Sequence, residues 1–243
     1  MKPLIGILGG MGPLATVDLM EKIIEETIAS RDQDHVPVVA WNVPQIPDRQ
    51  QALAATGPSP LPAMLEGITQ LNAMGATRIV IACNTAHFWF DALSAASAAA
   101  IIHIADATLD VLTQSASHDR AVGLIATRGT LEAGLYQARF EAQGMSTLIN
   151  TDDEMDTLFT PGCYAIKRGE FDVGGRLLEA AAQRLVDRGA TKLVLACTEV
   201  PIGLKRIAST LLPIAVDPNR ALARACVAYW LIHKDAGQTP VRA

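Results

Sequence analysis

Four thiols, at Cys83, Cys163, Cys197 and Cys226, are the strongest nucleophiles of this 243-residue chain. Two of them share a setting. Gly75–Cys83 reads GATRIVIAC and Gly189–Cys197 reads GATKLVLAC; six of nine positions are identical and the rest are Arg/Lys or Ile/Leu exchanges. Each segment is an apolar run that ends in its cysteine, followed by the short polar residues Asn84-Thr85 or Thr198-Glu199. If the runs are parallel strands, both cysteines stand at carboxyl ends, where open α/β sheets bind ligands. Each also precedes a helix, whose N-terminal partial charge favours thiolate. Two thiols on opposite sides of one ligand suit inversion of a stereocentre: one takes the proton and the other returns a proton to the far face. A lone strand-end cysteine is more often a buried filler, but one position filled twice argues for function. Cys163 and Cys226 have no repeat partner and are assigned to packing.

The neighbours of these cysteines carry two readings each. Asn84-Thr85 and Thr198-Glu199 could cradle a substrate carboxylate at backbone N–H groups or simply cap helices, and the two uses are compatible. His87 lies one turn beyond Cys83; as a metal pair the two are weak without further ligands, so His87 is expected to pack beside Cys83 and tune it. Gly9-Gly10-Met11-Gly12-Pro13-Leu14-Ala15 contains G-x-G-x-x-A. Pro13 removes an N–H from the helix start, and no acidic residue ends the second strand to hold a ribose. The turn is therefore a poor dinucleotide site and a better backbone nest for a small anion. Arg49 follows the second strand with a fork suited to carboxylates; Lys167-Arg168 is the other basic loop candidate. The turn Thr127-Arg128-Gly129-Thr130 matches the glycine turn of the first half and would face it.

What must position these groups is an alternating series of strands and helices. Leu4–Leu8, Val36–Trp41, Arg78–Ala82, Ile101–Ile104, Ala121–Ala126, Lys192–Ala196 and Leu211–Val216 read as buried strands. Pro13–Ala29, Leu61–Met74, Ala107–Ser115, Leu131–Gln143, Gly174–Asp187 and Pro218–His233 read as amphipathic helices. The fold class is α/β with parallel sheet. PLIGILGGMG (Pro3–Gly12) against RAVGLIATRG (Arg120–Gly129), and IAD (Ile104–Asp106) against AVD (Ala215–Asp217), extend the cysteine repeat in the same order at nearly the same offset. The chain thus reads as a duplicated unit of about half its length.

Composition narrows the function. With 20 Lys+Arg against 25 Asp+Glu the formal charge is −5, and without a basic block no nucleic acid or anionic membrane is an expected partner. The uncharged apolar stretches fall short of a membrane span, and no signal peptide is evident. The cysteines show neither CxxC spacing nor small-domain density, so reduced thiols in a cytoplasmic protein are expected. The tail from Asp235 to Ala243 is polar and expected to fray.

The motifs GILGGMGPLAT (Gly6–Thr16), RDQDH (Arg31–His35), PQIPDR (Pro44–Arg49), CNTAH (Cys83–His87), Thr127 with Gly129-Thr130, Asp152–Glu154, IKRGE (Ile166–Glu170) and CTEV (Cys197–Val200) resemble the cofactor-independent aspartate/glutamate racemase family, its aspartate racemases above all. The resemblance implies two pseudo-symmetric parallel-sheet α/β domains, residues 1–100 with 214–243 and residues 101–213, with the site in the cleft between them. It implies that the fourth strand and following helix of each half cross to the other domain. Cys83 and Cys197 would be the catalytic acid/bases, and Arg49 and Lys167 would grip carboxylates. Met11, Asn84, Thr85, Thr127, Thr130, Thr198 and Glu199 would complete the pocket. The function so implied is PLP-independent interconversion of L- and D-aspartate, with glutamate a second substrate, by a homodimer needing no metal or cofactor. A maleate-type dicarboxylate isomerase, a broad-specificity amino-acid racemase and a non-catalytic acidic-metabolite binder are the alternatives on the same scaffold.

Overall fold

Strand β1 (Ile5–Gly9) is buried along its whole length, as five uncharged residues must be when helices cover both faces of a parallel sheet. The computed structural model describes residues 2–114 and 121–235; the expectations for Ser115, Arg120 and the tail past Asp235 lie outside the described residues. After β1 come α1 (Pro13–Glu26), β2 (Val38–Asn42), α2 (Arg49–Leu53), α3 (Leu61–Ala73), β3 (Arg78–Ile81), α4 (Phe90–Ala96), β4 (Ala100–Ile102) and α5 (Ile104–Gln114). The second half runs β5 (Ala121–Leu124), α6 (Arg128–Glu132), α7 (Gln137–Glu141), β6 (Ser146–Ile149), α8 (Asp152–Glu154) and a π turn over Met155–Phe159. It continues with α9 (Thr160–Lys167), α10 (Phe171–Asp187), β7 (Lys192–Val194), α11 (Glu199–Arg206), β8 (Ala215–Val216) and α12 (Pro218–His233).

All pairings are parallel, and the two four-stranded sheets have the same order, β2-β1-β3-β4 and β6-β5-β7-β8. The duplication is therefore structural. Its matched residues do matched work: a Cβ on Gly6 would sit 2.9 Å from Ala76 Cβ, and one on Gly123 would sit 3.1 Å from Ala190 Cβ. The glycine of one repeat motif makes room for the alanine of the other, so the turn before the cysteine strand packs against the first strand in both halves.

The helices do not stay with the sheets that precede them. One face of the first sheet packs Ile5, Ile7 and Val80 under Leu19 and Ile23 of α1, and also under Leu222, Cys226 and Trp230 of α12. Its other face holds Leu8, Ile79 and Ile81 against Met64, Ile68 and Leu71 of α3. In the second sheet Val122, Leu124 and Val194 lie with Leu112 of α5 and with Tyr136 and Phe140; the opposite face packs on α9, α10 and α11. Thus α12 reaches across to the first half, and α5 reaches the second sheet through Leu112 while Ile104 and Ala107 stay in the core of the first. The strands before them do not: β4 pairs with β3 and β8 with β7. The expected exchange of strand plus helix is corrected to exchange of the helix alone, and residues 101–102 and 215–216 belong to the sheets of their own halves. The strands stay because their backbone N–H and C=O groups are satisfied by the neighbouring cysteine strand.

Ion pairs pin both crossings. Lys22 of α1 pairs with Asp217, the cap of α12, and Arg139 of α7 pairs with Asp106 of α5. Lys22 and Arg139 are separated by 117 residues and the two aspartates by 111, the offsets of the sequence repeat. The short IAD/AVD match thereby acquires a physical role. Among the described residues no helix is long and apolar enough to cross a membrane.

Candidate active site

The loops beyond the carboxyl ends of both sheets enclose a cavity of about 250 Å³. From the first half it is lined by Met11, Asp48, Arg49, Gln50, Cys83, Asn84 and Thr85; from the second by Thr127, Cys163, Lys167, Cys197, Thr198 and Glu199, among others. All sequence-expected site residues line it except Thr130, which is fully buried and hydrogen-bonds the hydroxyls of Thr85 and Thr127, each at 3.0 Å. Cys83 and Cys197 are both 6% exposed, each just past the end of its strand.

The cations are held for different reasons. Asp48 caps α2, its carboxylate accepting from the backbone N–H groups of Gln50 and Gln51, which fixes Arg49 and Gln50 in the first turn. Arg49 Nη1 donates to the carbonyls of Ile46 and Pro47 at 3.2 and 2.9 Å, while its buried Nε has no partner. Among the described residues no carboxylate pairs with this guanidinium, so an anion entering the cavity meets an uncompensated charge. Lys167, at the end of α9, has its ammonium 3.8 Å from Glu199 Oε1. Burial and the nearby Arg49 work against its charge, but Glu199 first, then Cys197 and Cys83, raise its pKa, so it stays protonated.

Asn84 and Thr198 stand at helix starts, yet neither side chain caps its helix. Asn84 Oδ1 accepts from the Tyr136 hydroxyl, and its buried Nδ2 is left without a partner. The capping reading fails at both positions, which leaves the Asn84 amide as a donor at the cavity wall. Thr127 does cap, accepting from Thr130 N at 3.3 Å. The glycine turn is also used internally: Gly10 N–H donates to Thr16 Oγ1 at 3.0 Å, and Gly10 has φ +89° beside the Val43 backbone. The Gly10 N–H is thus taken up within the turn, which delivers Met11 to the cavity.

Electrostatics distinguish the two strand-end thiols. The Cys197 S–H donates to Glu199 Oε2 at 3.0 Å, and Cys163 Sγ lies 3.7 Å from Cys197 Sγ. Hydrogen bonding with Cys163, burial and the Glu199 carboxylate together push the Cys197 thiol well above its ordinary pKa. This reverses the expected thiolate. The Cys163 contact and burial lead this effect, and Glu199, at the first turn of the helix that follows, adds to it. Beside Cys83 no such carboxylate lies within hydrogen-bond reach among the described residues. His87 serves as a brace: Ile104 N–H donates to Nε2 at 3.1 Å, so Nδ1 carries the proton and donates to the Cys83 carbonyl at 2.9 Å. Burial and the neighbouring His103 hold it neutral, with a pKa of about 3. Among the described residues no three His, Cys, Asp or Glu side chains are grouped to hold a metal ion.

Gln50 is a residue that sequence reasoning missed. Its amide donates to Thr85 Oγ1 and Thr127 Oγ1, both at 3.1 Å, and its carbonyl accepts from Gly129 N at 3.0 Å. Thr85 and Thr127 are themselves 2.9 Å apart. One side chain from the first half thus ties together the polar loops of both. Gly129 permits this, since a Cβ there would lie 2.4 Å from Leu53. Met155, Phe159 and Tyr164 complete an apolar flank that the sequence did not single out.

Two repeat-related cysteines thus line one cavity between the halves together with Arg49 and Lys167. Residues 8–226 match the Asp/Glu/Hydantoin racemase family, and the chain belongs to that family. An aspartate racemase from Picrophilus torridus superposes with a TM-score of 0.82 at 31% identity, covering 94% of each chain. The broad specificity amino-acid racemase RacX of Bacillus subtilis is 25% identical over 95% of this chain and 100% of its own. A glutamate racemase of Francisella tularensis in complex with D-glutamate shares the fold at 18% identity and a TM-score of 0.69, over 98% of this chain and 84% of that one. The chain is an amino-acid racemase.

Proposed function

We propose that this racemase interconverts L- and D-aspartate by proton transfer at Cα between Cys83 and Cys197. The observation that carries the reading is the pairing of two repeat-equivalent cysteines in one cavity with the uncompensated Arg49. Arg49 and Lys167 supply charge for two carboxylates, and the free Asn84 Nδ2 supplies a further donor. As the Cα proton leaves, charge builds on the adjacent carboxylate, and fixed donors around it lower the barrier most where that charge grows. Cys197, with its proton held toward Glu199, is the resting acid. Cys83 is then the base, and the roles exchange in the reverse direction. The scheme calls on no cofactor.

The names of the relatives support aspartate as first substrate and glutamate as second. A homodimer is supported by exposed apolar residues along α1 and just past its end, where Leu14, Val17, Ile24 and Ile28 are 41%, 56%, 57% and 101% exposed. Four free thiols support a cytoplasmic setting.

The test is incubation with L-aspartate in D2O, following optical rotation and deuterium at Cα. Formation of Cα-deuterated D-aspartate is expected, and Cys83→Ala and Cys197→Ala should each abolish it. Binding without exchange or inversion would sink the reading, and so would normal racemisation by either variant.

A further inference from the structure

We infer that Cys163 and Cys197 form a reversible disulfide when a hydroperoxide enters the cavity, and that this bond switches the enzyme off. The loss of activity rests on the proposed proton-transfer role of Cys197; the disulfide itself does not.

Cys163, on α9, sits in the core of the second half, as a packing residue should. Yet its sulfur also lines the cavity and is 3.7 Å from that of Cys197. A disulfide needs about 2.05 Å, so the sulfurs must close by roughly 1.7 Å, a distance that χ1 rotation of a cysteine covers. Both thiols are 6% exposed, enough for a molecule of the size of hydrogen peroxide to reach them from the cavity. Cys226 is fully buried under α1 and excluded from this chemistry. The approach to α9 is a π turn, Met155–Phe159, an irregularity that leaves the helix start room to adjust.

The chemistry balances with the peroxide as sole oxidant. One sulfur of the pair, as thiolate, attacks a peroxide oxygen; the O–O bond breaks, S–OH forms, and the departing hydroxide leaves as water with the thiol's proton. The second sulfur attacks the S–OH sulfur, and its proton protonates the departing oxygen, with Glu199 placed to relay it from Cys197. The S–O bond breaks and a second water leaves. Two thiols are oxidised by two electrons and the peroxide is reduced to two waters. Bonded to Cys163, Cys197 has no proton to give. The same bond shields it from irreversible oxidation, because a sulfenic acid with a thiol at hand condenses before it is oxidised further.

The test treats the full-length protein with hydrogen peroxide, alkylates free thiols and maps tryptic peptides without reduction. Cleavage after Lys and Arg places each cysteine on its own peptide, Cys163 within 140–167 and Cys197 within 193–205. A linked pair of these two peptides is expected, with activity reduced roughly 100-fold or more and restored by dithiothreitol. In Cys163→Ala excess peroxide should carry Cys197 past the sulfenic acid to the sulfinic acid, which dithiothreitol does not restore, while Cys226→Ala should behave as wild type. Recovery of Cys197 as free thiol or as sulfinic acid, with no linked peptide in the wild-type protein, overturns the inference, as does a bond to Cys83. A linked pair with activity intact supports the disulfide and counts against the proton-transfer role of Cys197.

Discussion

Replacing Gln50 with alanine tests how much its amide adds to the hydrogen bonds that hold the cleft closed. The substitution removes three hydrogen bonds, to Thr85 Oγ1, Thr127 Oγ1 and Gly129 N, of which the last two cross between the halves. Each is worth a net ~1 kcal/mol. The three threonine hydroxyls still satisfy one another, so the loss that bears on closure is that of the two crossing bonds, about 2 kcal/mol or roughly 30-fold in the closed population. On the proposed mechanism Thr85 and Thr127 act together with the cysteines of the cavity, so kcat/KM should fall by a similar factor. Initial rates with L-aspartate, followed by optical rotation over a range of concentrations, give kcat and KM separately. Melting measured in parallel should drop by about 4–8 °C if the whole loss falls on the folded state. Gln50→Glu retains the acceptor for Gly129 but places negative charge in a cavity shaped for anions, and its main effect should be on KM. If Gln50→Ala keeps kcat/KM within about twofold of wild type, the amide is decoration and the closure argument is wrong.

Three further outcomes follow from the same contacts. Glu199→Gln removes one cause of the raised Cys197 pKa, so the high-pH limb of kcat, where the acid thiol loses its proton, should move to lower pH; an unmoved limb would detach Glu199 from Cys197. Lys22→Met leaves Asp18 and Asp217 without their shared buried cation. It should cost about 3–5 kcal/mol in urea unfolding, and a change under 1 kcal/mol would contradict the pinning of α12. His87 has a folded pKa of about 3 against roughly 6.5 unfolded. The unfolded chain binds the extra proton, so this stability is present above pH ~6.5 and is lost as pH falls toward 3, at up to about 1.4 kcal/mol per pH unit. Urea midpoints should therefore fall less steeply with acid in His87→Gln than in wild type, and parallel acid limbs would refute the assignment.

The parts legible in the sequence were those written twice. GATRIVIAC and GATKLVLAC located β3, β7 and both strand-end cysteines, and apolar continuity located β1 and β5. Strand β6 was missed because Ser146–Ile149 is a half-exposed edge with no apolar run. The helix expected over Leu131–Gln143 is two short ones separated at Gly134, whose φ is +64°. Helix α9 hid behind Thr-Pro-Gly, a poor helical start in sequence that is tolerated here because Pro161 falls in the first turn. The helix crossing left no signal, since an amphipathic α5 or α12 pairs equally well with either sheet on periodicity alone. At the site, Gln50 carries no charge and no repeat partner to draw notice. Cys163 was set aside for lack of a counterpart, and only three dimensions bring its sulfur to Cys197. The reversal at Cys197 is legible only in its smaller part, Glu199 two residues away; its larger causes, Cys163 and burial, come with the fold.

The crossing of α12 also governs how the chain is made. Asn219, its second residue, donates to the Ala15 carbonyl at 3.2 Å and to Asp18 at 2.8 Å, across more than 200 residues of chain. The first sheet is synthesised first, but its Ile5–Ile7–Val80 face is covered only in part, by α1 and the start of α5, until α12 leaves the ribosome. Its N-terminal half is therefore a poor candidate for folding during translation and depends on protection of that face in the meantime. The same feature gives the duplication a history: two half-length chains that swapped their final helices would form this architecture as a dimer, and a single fusion between them would make the swap permanent.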